Sequence, residues 1–250
     1  MRIELLTHEA LHPVSTHNDN PHVCYEPATS VTDAINTRRS LRAFLSKPVP
    51  QQTLQHMLEI AARAPSGTNI QPWKTYVVTG ATRDKLCKAV CEAFDDPQIK
   101  GASQVDYYPQ QWFEPFLGRR RQVGWALYGL LGIEKGERAK THAQHRRNYQ
   151  FFDAPVGLIF TIHKDLATGS WLDYGLFMQN LMLLAREHGL HTCPQAAWAD
   201  YHTTIRQVIS LSDDEVVVSG MALGYADPAA IENTLVTERV DSSENVYFMD

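Results

Sequence analysis

Two uninterrupted apolar runs most constrain the fold of this 250-residue chain. Residues 156–162 read Val-Gly-Leu-Ile-Phe-Thr-Ile, and residues 216–225 form a second apolar run that contains two glycines. Runs that are rich in β-branched residues and lack polar alternation indicate strands buried on both faces. We therefore expect these two segments to lie inside the protein, with the first at the centre of a sheet.

The remaining elements are predicted to be mainly helical. A shorter strand is expected at 74–79, closed by Gly80. We expect helices at 30–37, 51–63, 119–131 and 135–149. Thr82 is expected to cap a further helix that follows the first strand, and Ser170 to cap a long helix at 172–188 that ends at Gly189. The strands are few and separated by helices, which predicts an α+β fold.

Composition limits the possible functions. The net charge of −5 and the pI near 6.1 argue against nucleic acid as the main partner. The four cysteines (24, 87, 91 and 193) lack zinc-site spacing, so we predict reduced thiols and no metal. Because no apolar run approaches membrane-spanning length, we predict a soluble, cytoplasmic protein. Residues 1–28 are expected to form an irregular leader, and residues 29–250 a single domain.

Two polar motifs near the start of this domain indicate a binding site. Residues 38–42 read Arg-Arg-Ser-Leu-Arg, and guanidinium groups bind phosphate oxygens in pairs. Residues 64–73 read Ala-Pro-Ser-Gly-Thr-Asn-Ile-Gln-Pro-Trp, a turn-rich segment with uncharged donors and acceptors that suit the edge of a planar ring. An arginine run alone is often only a solvated face. Together the two motifs predict a bound phosphorylated heterocycle.

Two further motifs follow in the chain, Cys193-Pro194-Gln195-Ala196-Ala197 and the segment 220–227, Gly-Met-Ala-Leu-Gly-Tyr-Ala-Asp. With these four motifs in this order, the chain resembles the nitroreductase family of FMN-dependent flavoproteins from about residue 30 to the C-terminus. The aromatic segment 107–128 and Trp171-Leu172-Asp173 resemble the branch of that family that includes nitrobenzoate reductases.

The resemblance implies a particular architecture and reaction. It implies a central mixed or antiparallel sheet surrounded by helices, a helical lid at about 95–150 and an extension of about 225–250 onto a partner subunit. A homodimer would hold two FMN molecules across its interface. NADH or NADPH would reduce FMN and leave, and a nitroaromatic or related electron-poor acceptor would then take the hydride. The cofactor carries this chemistry, so no catalytic side chain is expected.

The resemblance also implies roles for individual residues. Those expected to contact FMN are Arg38, Ser40 and Arg42 around the phosphate and ribityl tail; Arg39 close to the flavin; Pro65, Ser66, Asn69 and Gln71 from the other subunit; Pro194, Gln195 and Ala196 beside the ring; and Gly224 and Arg239 near the phosphate end. The aromatic side chains of Trp112, Phe113 and Phe116 either stack on an aromatic substrate or pack a small separate core. The arginine clusters at 119–121 and 146–147 either bind an anionic ligand or are solvated.

Other functions remain open at this stage. A reductive dehalogenase resembling iodotyrosine deiodinase and a flavin-fragmenting enzyme of the vitamin B12 pathway share the scaffold. A deiodinase needs a carboxylate, an aromatic hydroxyl and a lysine around its zwitterionic substrate. Candidates for these groups are present but do not form a pattern that can be aligned: Glu114, Tyr107 or Tyr108, and Lys135 or Lys140. A flavin-binding protein without turnover, or a module that binds a sugar phosphate, is the alternative of another class.

Overall fold

The computed structural model describes residues 23–249. Most of the segment predicted to be an irregular leader therefore lies outside the described residues. The helices are α1 (Val31–Thr37), α2 (Gln51–Ala61), α3 (Gly80–Asp95), α4 (Phe116–Leu130), α5 (Arg138–Arg146), α6 (Thr168–Glu187) and α7 (His202–Ile209). The strands are β1 (Lys74–Thr79), β2 (Val156–His163), β3 (His191–Gln195) and β4 (Glu215–Gly224). Short 3₁₀ segments include 67–69, 147–153, 196–201 and 231–234.

The four strands form one sheet in the order β1-β2-β4-β3, and every neighbouring pair is antiparallel. The two apolar runs form the central strands β2 and β4, which confirms the prediction made from their composition. A short parallel bridge joins Ser40 to Thr192 beside β3. This bridge places the arginine motif at an outer edge of the sheet.

Helices cover both faces of the sheet, because the side chains of β2 alternate between two hydrophobic clusters. Val156, Leu158, Phe160 and Ile162 pack with buried residues of α2 and α6. Ile159 points the other way and packs with buried residues of α3 and α7. This alternation is the period of two expected along a strand. The α+β fold with an antiparallel sheet between helices is confirmed.

Two glycines of the central strands support a pair of stacked aromatic rings. The rings of Phe151 and Trp198 lie 4.2 Å apart at 19°. A Cβ added at Gly157 would lie 2.2 Å from Phe151 Cε2, and one added at Gly220 would lie 2.2 Å from Trp198 Cδ1. The rings can lie this close to the sheet only because both positions lack a side chain. They fix the 3₁₀ segments 147–153 and 196–201 against β2 and β4.

The predicted helix caps were wrong in two places. Thr82 lies inside the first turn of α3, because Thr79 is extended and the helix begins at Gly80. Ser170 lies within α6, which begins at Thr168, and its side chain is buried. In both cases a residue that often caps helices occupies the first turn instead.

Two other features differ from the sequence predictions. The helix expected at 135–149 is α-helical only from Arg138 to Arg146 and continues as the 3₁₀ segment 147–153. The strand β3 was not predicted, since His-Thr-Cys-Pro-Gln has no apolar run or alternation. Its Pro194 is tolerated because β3 lies at the edge of the sheet, where a missing N–H breaks no second ladder.

Candidate cofactor site

The arginine motif follows α1 and runs beside β3. The Leu41 N–H donates to Thr192 O at 3.2 Å, and Leu41 is 1% exposed. In this extended stretch alternate residues share a side. Arg38, Ser40 and Arg42 are half-buried on the side away from the core. The chain therefore uses Leu41 as an anchor and presents two guanidinium groups and a hydroxyl together.

The guanidinium groups of Arg38 and Arg42 have no counter-ion within residues 23–249. Burial lowers the pKa of Arg38, and the nearby positive charge of Arg239 lowers it further. The Arg38 guanidinium has no hydrogen-bond or ion-pair partner there, and the Arg42 guanidinium donates only to Ser40 O, at 3.2 Å. Arg239 donates to oxygen atoms of its own segment, at Thr237 and Glu238. Guanidinium groups gathered in this way without a carboxylate suit a phosphate ligand.

Strand β3 forms the inner wall of this site. Burial raises the pKa of Cys193 to about 11, although Arg42 and Arg38 act in the opposite direction, so its thiol is neutral. Thr192 Oγ1 and Gln195 Oε1 are buried without a hydrogen-bond partner in the described structure. Gln195 Nε2 donates to Asn148 O at 2.7 Å. Unpaired buried polar atoms are rare, and ligands or water molecules commonly complete them. These atoms, together with the uncompensated arginines, fit a phosphorylated ligand with polar groups, such as FMN.

The remaining residues predicted beside this wall have different environments. Pro194 and Ala196 are half-buried at the end of β3. Gly224 pairs with His191 across the sheet, and a Cβ there would lie 2.8 Å from Pro155 Cδ. Packing against Pro155 within the chain is thus sufficient to require a glycine at position 224. Arg39 is half-buried, and burial lowers its pKa.

The second motif forms a strained, exposed turn. Thr68, Asn69 and Gln71 have φ angles of 47°, 61° and 53°, although none is glycine. Ser66 Oγ accepts a hydrogen bond from the Gln71 N–H at 3.0 Å and holds the turn closed. Pro65 is exposed at the start of the turn. Left-handed conformations at non-glycine residues are unfavourable and are concentrated at ligand-binding segments.

Within one chain this turn does not meet the arginine motif. Asp173, near the start of α6, accepts a hydrogen bond from the Gly67 N–H at 3.1 Å. Arg186, in the last turn of α6, donates to Thr37 Oγ1 at 3.2 Å, directly before Arg38. Thirteen residues of helix separate these two contacts, about 20 Å at 1.5 Å per residue. The two halves of the predicted site therefore lie near opposite ends of α6.

The aromatic segment stands away from the core. No residue of α4 is buried, and Trp125 on this helix is 70% exposed. The rings of Phe113 and Phe116 are 5.1 Å apart and both are exposed, so they contact each other rather than a closed core. Trp112 is half-buried. Gln122 Nε2 donates to Glu238 Oε2 at 2.9 Å, which joins α4 to the segment that carries Arg239.

Arg186, whose hydrogen bonds hold together the segments beside the candidate site, was not predicted from the sequence. This side chain is 1% exposed and donates to Cys24 O, Glu26 O and Leu190 O. Its NH1 also lies 3.1 Å from His191 Nε2. Burial and the charge of Arg186 lower the pKa of His191 to about 3. A basic residue in the last turn of a helix is common, so the sequence carries no signal for this role.

The fold and the site define an α+β protein that presents an uncompensated cationic site for a phosphorylated ligand beside an edge strand. The chain belongs to the nitroreductase family, since residues 35–225 match the model of that family. The resemblance drawn from the four motifs is therefore confirmed. Within residues 23–249 no group of three or more His, Cys, Asp or Glu side chains is arranged to hold a metal ion. None of the helices in the same range is long and apolar enough to span a bilayer.

Individual relatives are similar over nearly their whole length. The 4-nitrobenzoate reductase of Pseudomonas putida is 39% identical over 215 residues, which cover 86% of this chain and 93% of that protein. The chloronitrobenzene nitroreductase of Comamonas testosteroni is 36% identical over 219 residues, covering 88% and 96% respectively. The crystal structure of the FMN- and NADPH-dependent nitroreductase NfnB from Sphigopyxis sp. strain HMH has a TM-score of 0.85 and 39% identity, and covers 88% of this chain and 99% of that one.

Proposed function

We propose that this protein is an FMN-dependent NAD(P)H oxidoreductase that reduces nitroaromatic or related electron-poor acceptors. The observation that carries the proposal is the set of guanidinium groups of Arg38, Arg42 and Arg239, which no carboxylate of the described residues neutralises. In a nitroreductase fold such a set suits the FMN phosphate. The names of the relatives support the acceptor class, and the NfnB structure supports both the cofactor and the electron donor.

The chain's own residues bind and orient the reactants. Arg38, Ser40, Arg42 and Arg239 would hold the phosphate, and Arg39 would lie close to the flavin. Pro194, Gln195 and Ala196 would line the ring. When bound, FMN supplies reversible hydride transfer from NADH or NADPH to the acceptor. No side chain has to act as a nucleophile, so positioning and exclusion of water are the tasks left to the protein.

A homodimer with shared sites is part of the same proposal. Because the turn at 65–71 lies about 20 Å along α6 from the arginine motif, one chain cannot readily offer both halves to one ring. Pro65, Ser66, Asn69 and Gln71 of a second copy would complete each site. No residue of α4 is buried within the chain, which is consistent with a second copy covering this helix.

The proposed boundaries follow from this assembly. The helical insertion at about 95–150 would act as a lid, and the segment of about 225–250 would extend onto the partner within a single domain of residues 29–250. Phe248 is 92% exposed, which supports such an extension because a large apolar side chain at a chain end is more stable when covered. A cytoplasmic location remains a prediction.

Two candidate residues of the dehalogenase alternative already have partners within the chain. Glu114 Oε2 accepts a hydrogen bond from the Gly118 N–H at 3.0 Å and so serves the first turn of α4. Lys140 pairs with Glu137 at 2.7 Å. Neither group is free to hold the charged ends of an amino acid.

The proposal is tested with purified protein. We expect a yellow protein with flavin absorbance that bleaches when NADH or NADPH is added without oxygen. Addition of 4-nitrobenzoate should then restore the oxidised spectrum. A colourless protein that takes up no FMN would refute the cofactor assignment, and an FMN-loaded protein that neither nucleotide bleaches would refute the reductase. Light scattering during gel filtration should give the mass of two chains, and a monomer that retains FMN would contradict the shared site.

A further inference from the structure

Three consecutive arginines on α4 differ in what they contact. The Arg119 guanidinium lies 3.8 Å from Glu244 Oε2 and 5.7 Å from the Phe116 ring centroid. The Arg120 guanidinium lies 4.7 Å from the Trp112 ring centroid and forms no ion pair in the described part of the chain. Arg121 makes neither kind of contact within the same residues. Arg120 is therefore held in place yet has its charge available.

The neighbours of Arg120 form a shelf with a second hydrogen-bond donor. Trp112 packs on Tyr108 with ring centroids 5.3 Å apart. Burial and Tyr107 raise the pKa of Tyr108, and the charge of Arg120 opposes this effect. Both Tyr108 and Arg120 contact the ring of Trp112. The phenol is protonated at neutral pH. A guanidinium that stacks on a ring face keeps its N–H donors free in its own plane. Arg120 and Tyr108, which contact the same Trp112 ring, thus place two kinds of hydrogen-bond donor on one shelf.

The segment that carries this shelf contacts two other segments beside the candidate site. The Ala102 N–H donates to Asp200 O at 2.9 Å, and Asp200 belongs to the 3₁₀ segment that begins at Ala196. Two residues after Arg120, Gln122 contacts Glu238, the neighbour of Arg239. The Asp200 carboxylate also raises the pKa of Tyr108 but forms no ion pair with Arg120. The segment that carries the shelf is therefore attached both to the 3₁₀ segment 196–201, which follows β3, and to the C-terminal segment that carries Arg239.

We propose that Arg120, stacked on Trp112 beside Tyr108, is a subsite that selects ligands carrying an oxyanion. The oxyanion is the carboxylate of an aromatic acceptor or the 2′-phosphate of NADPH, because both groups suit the planar fork of a guanidinium. The inference rests on the proposed function, since it assigns the specificity of that same site. The exposed rings beside Arg120 suit a flat aromatic body attached to the anion.

The test compares Arg120→Gln with Arg121→Gln, a matched change at the next residue. Values of kcat/KM are measured for 4-nitrobenzoate and for uncharged nitrobenzene, and separately with NADPH and with NADH. We expect Arg120→Gln to lower kcat/KM for 4-nitrobenzoate by about tenfold or more, as the loss of a charge-assisted hydrogen bond implies, and to leave nitrobenzene unaffected. A fall in the NADPH-to-NADH ratio, with both acceptors unaffected, would instead assign the subsite to the nucleotide phosphate.

A binding measurement makes the inference independent of turnover. Calorimetric titration of the FMN-loaded protein with benzoate and benzamide, and with 2′,5′-ADP and AMP, reports the preference for each anion directly. Arg120→Gln should reduce the preference for benzoate or for 2′,5′-ADP, whereas Arg121→Gln should not. If wild-type protein binds these anions selectively through Arg120 but reduces no nitroarene, the proposed function fails and the subsite stands. If neither preference changes in Arg120→Gln, or both variants behave alike, the subsite is refuted.

Discussion

Glu215 offers a quantitative test of how the sheet is held together away from the candidate site. This carboxylate begins β4 and its side chain is 7% exposed. Its Oε1 accepts from Lys74 Nζ at 2.6 Å, its Oε2 accepts from Thr161 Oγ1 at 2.6 Å, and Tyr76 Oη lies 2.9 Å from both oxygens. Burial raises the pKa of Glu215, but the bonds from Lys74, Thr161 and Tyr76 outweigh it, so the pKa lies below its ordinary value.

The change Glu215→Gln keeps the shape of the side chain and removes its charge. Hydrogen bonds to a charged group contribute about 1.5–3 kcal/mol each, and those between neutral groups about 0.5–1.5 kcal/mol. The two hydroxyl bonds should thus weaken by about 1 kcal/mol each. The Lys74 pair adds less than about 1 kcal/mol, because the lysine side chain is 58% exposed. We expect a loss of about 2–3 kcal/mol in the free energy of unfolding at neutral pH.

The pH dependence has a definite sign. A carboxyl group with a lowered pKa in the folded state contributes stability above its unfolded pKa, near 4.5 for Glu215, and this stability is lost as the pH falls through the folded pKa. The difference between wild type and Glu215→Gln should therefore be constant near pH 7 and shrink below about pH 4.5. Urea unfolding followed by circular dichroism measures it, with FMN and protein concentrations held fixed.

A matched control separates this network from general surface charge. Asp213 is two residues away and its side chain is fully exposed, so Asp213→Asn should change stability by less than about 0.5 kcal/mol. A loss below that value in Glu215→Gln at neutral pH would refute the reasoning. A difference that grows in acid would also refute it, because the pKa of Glu215 would then be raised rather than lowered.

Three further changes test the site and the packing beneath it. Arg38→Ala should weaken FMN binding by about 1.5–3 kcal/mol in a fluorescence titration of the apoprotein, whereas the exposed Lys85→Ala should not; equal affinities would contradict the phosphate site. Gly220→Ala should cost about 1–3 kcal/mol of stability in thermal unfolding, because its Cβ would lie 2.2 Å from Trp198 Cδ1, and an unchanged Tm would show that the ring moves freely. His191 is neutral when folded because its pKa is about 3, so the free energy of unfolding should fall as the pH drops below about 6.5. His191→Asn should reduce the slope of the unfolding free energy against pH by an amount that corresponds to at most one proton. An unchanged slope would place His191 in contact with water.

How well the sequence predicted each strand depends on how the strand is buried. Strands β2 and β4 are covered on both faces, so nearly all their residues are apolar, and each lies within one residue of its predicted bounds. Strand β3 is an edge strand with polar residues and a proline. It forms a strand because it pairs with β4, and the paired residues are 25 or more positions apart in the sequence. No local pattern records that pairing.

The site shows the same division between local and long-range information. The arginine motif was predictable because its charges lie within five residues and α1 ends beside them. Arg186 was not, since its hydrogen bond to Cys24 O spans 162 residues. The distance between the turn at 65–71 and Arg38 likewise depends on the length of α6, because the two segments contact opposite ends of that helix. It favours a two-chain site on geometric grounds that the motifs alone do not contain.

The absence of a carboxylate partner is what makes Arg38, Arg42 and Arg239 candidates for binding the cofactor phosphate. Two other half-buried or buried arginines have partners within the chain: Arg147 binds Asp153 and Glu232, and Arg186 donates to backbone oxygens and to Thr37 Oγ1. Arg38 and Arg239 instead lie close enough for the charge of one to lower the pKa of the other. Like charges that remain near each other without a carboxylate destabilise the free protein, and a bound dianion reverses the sign of that interaction. The same arrangement would therefore strengthen the binding of a phosphate at the proposed site.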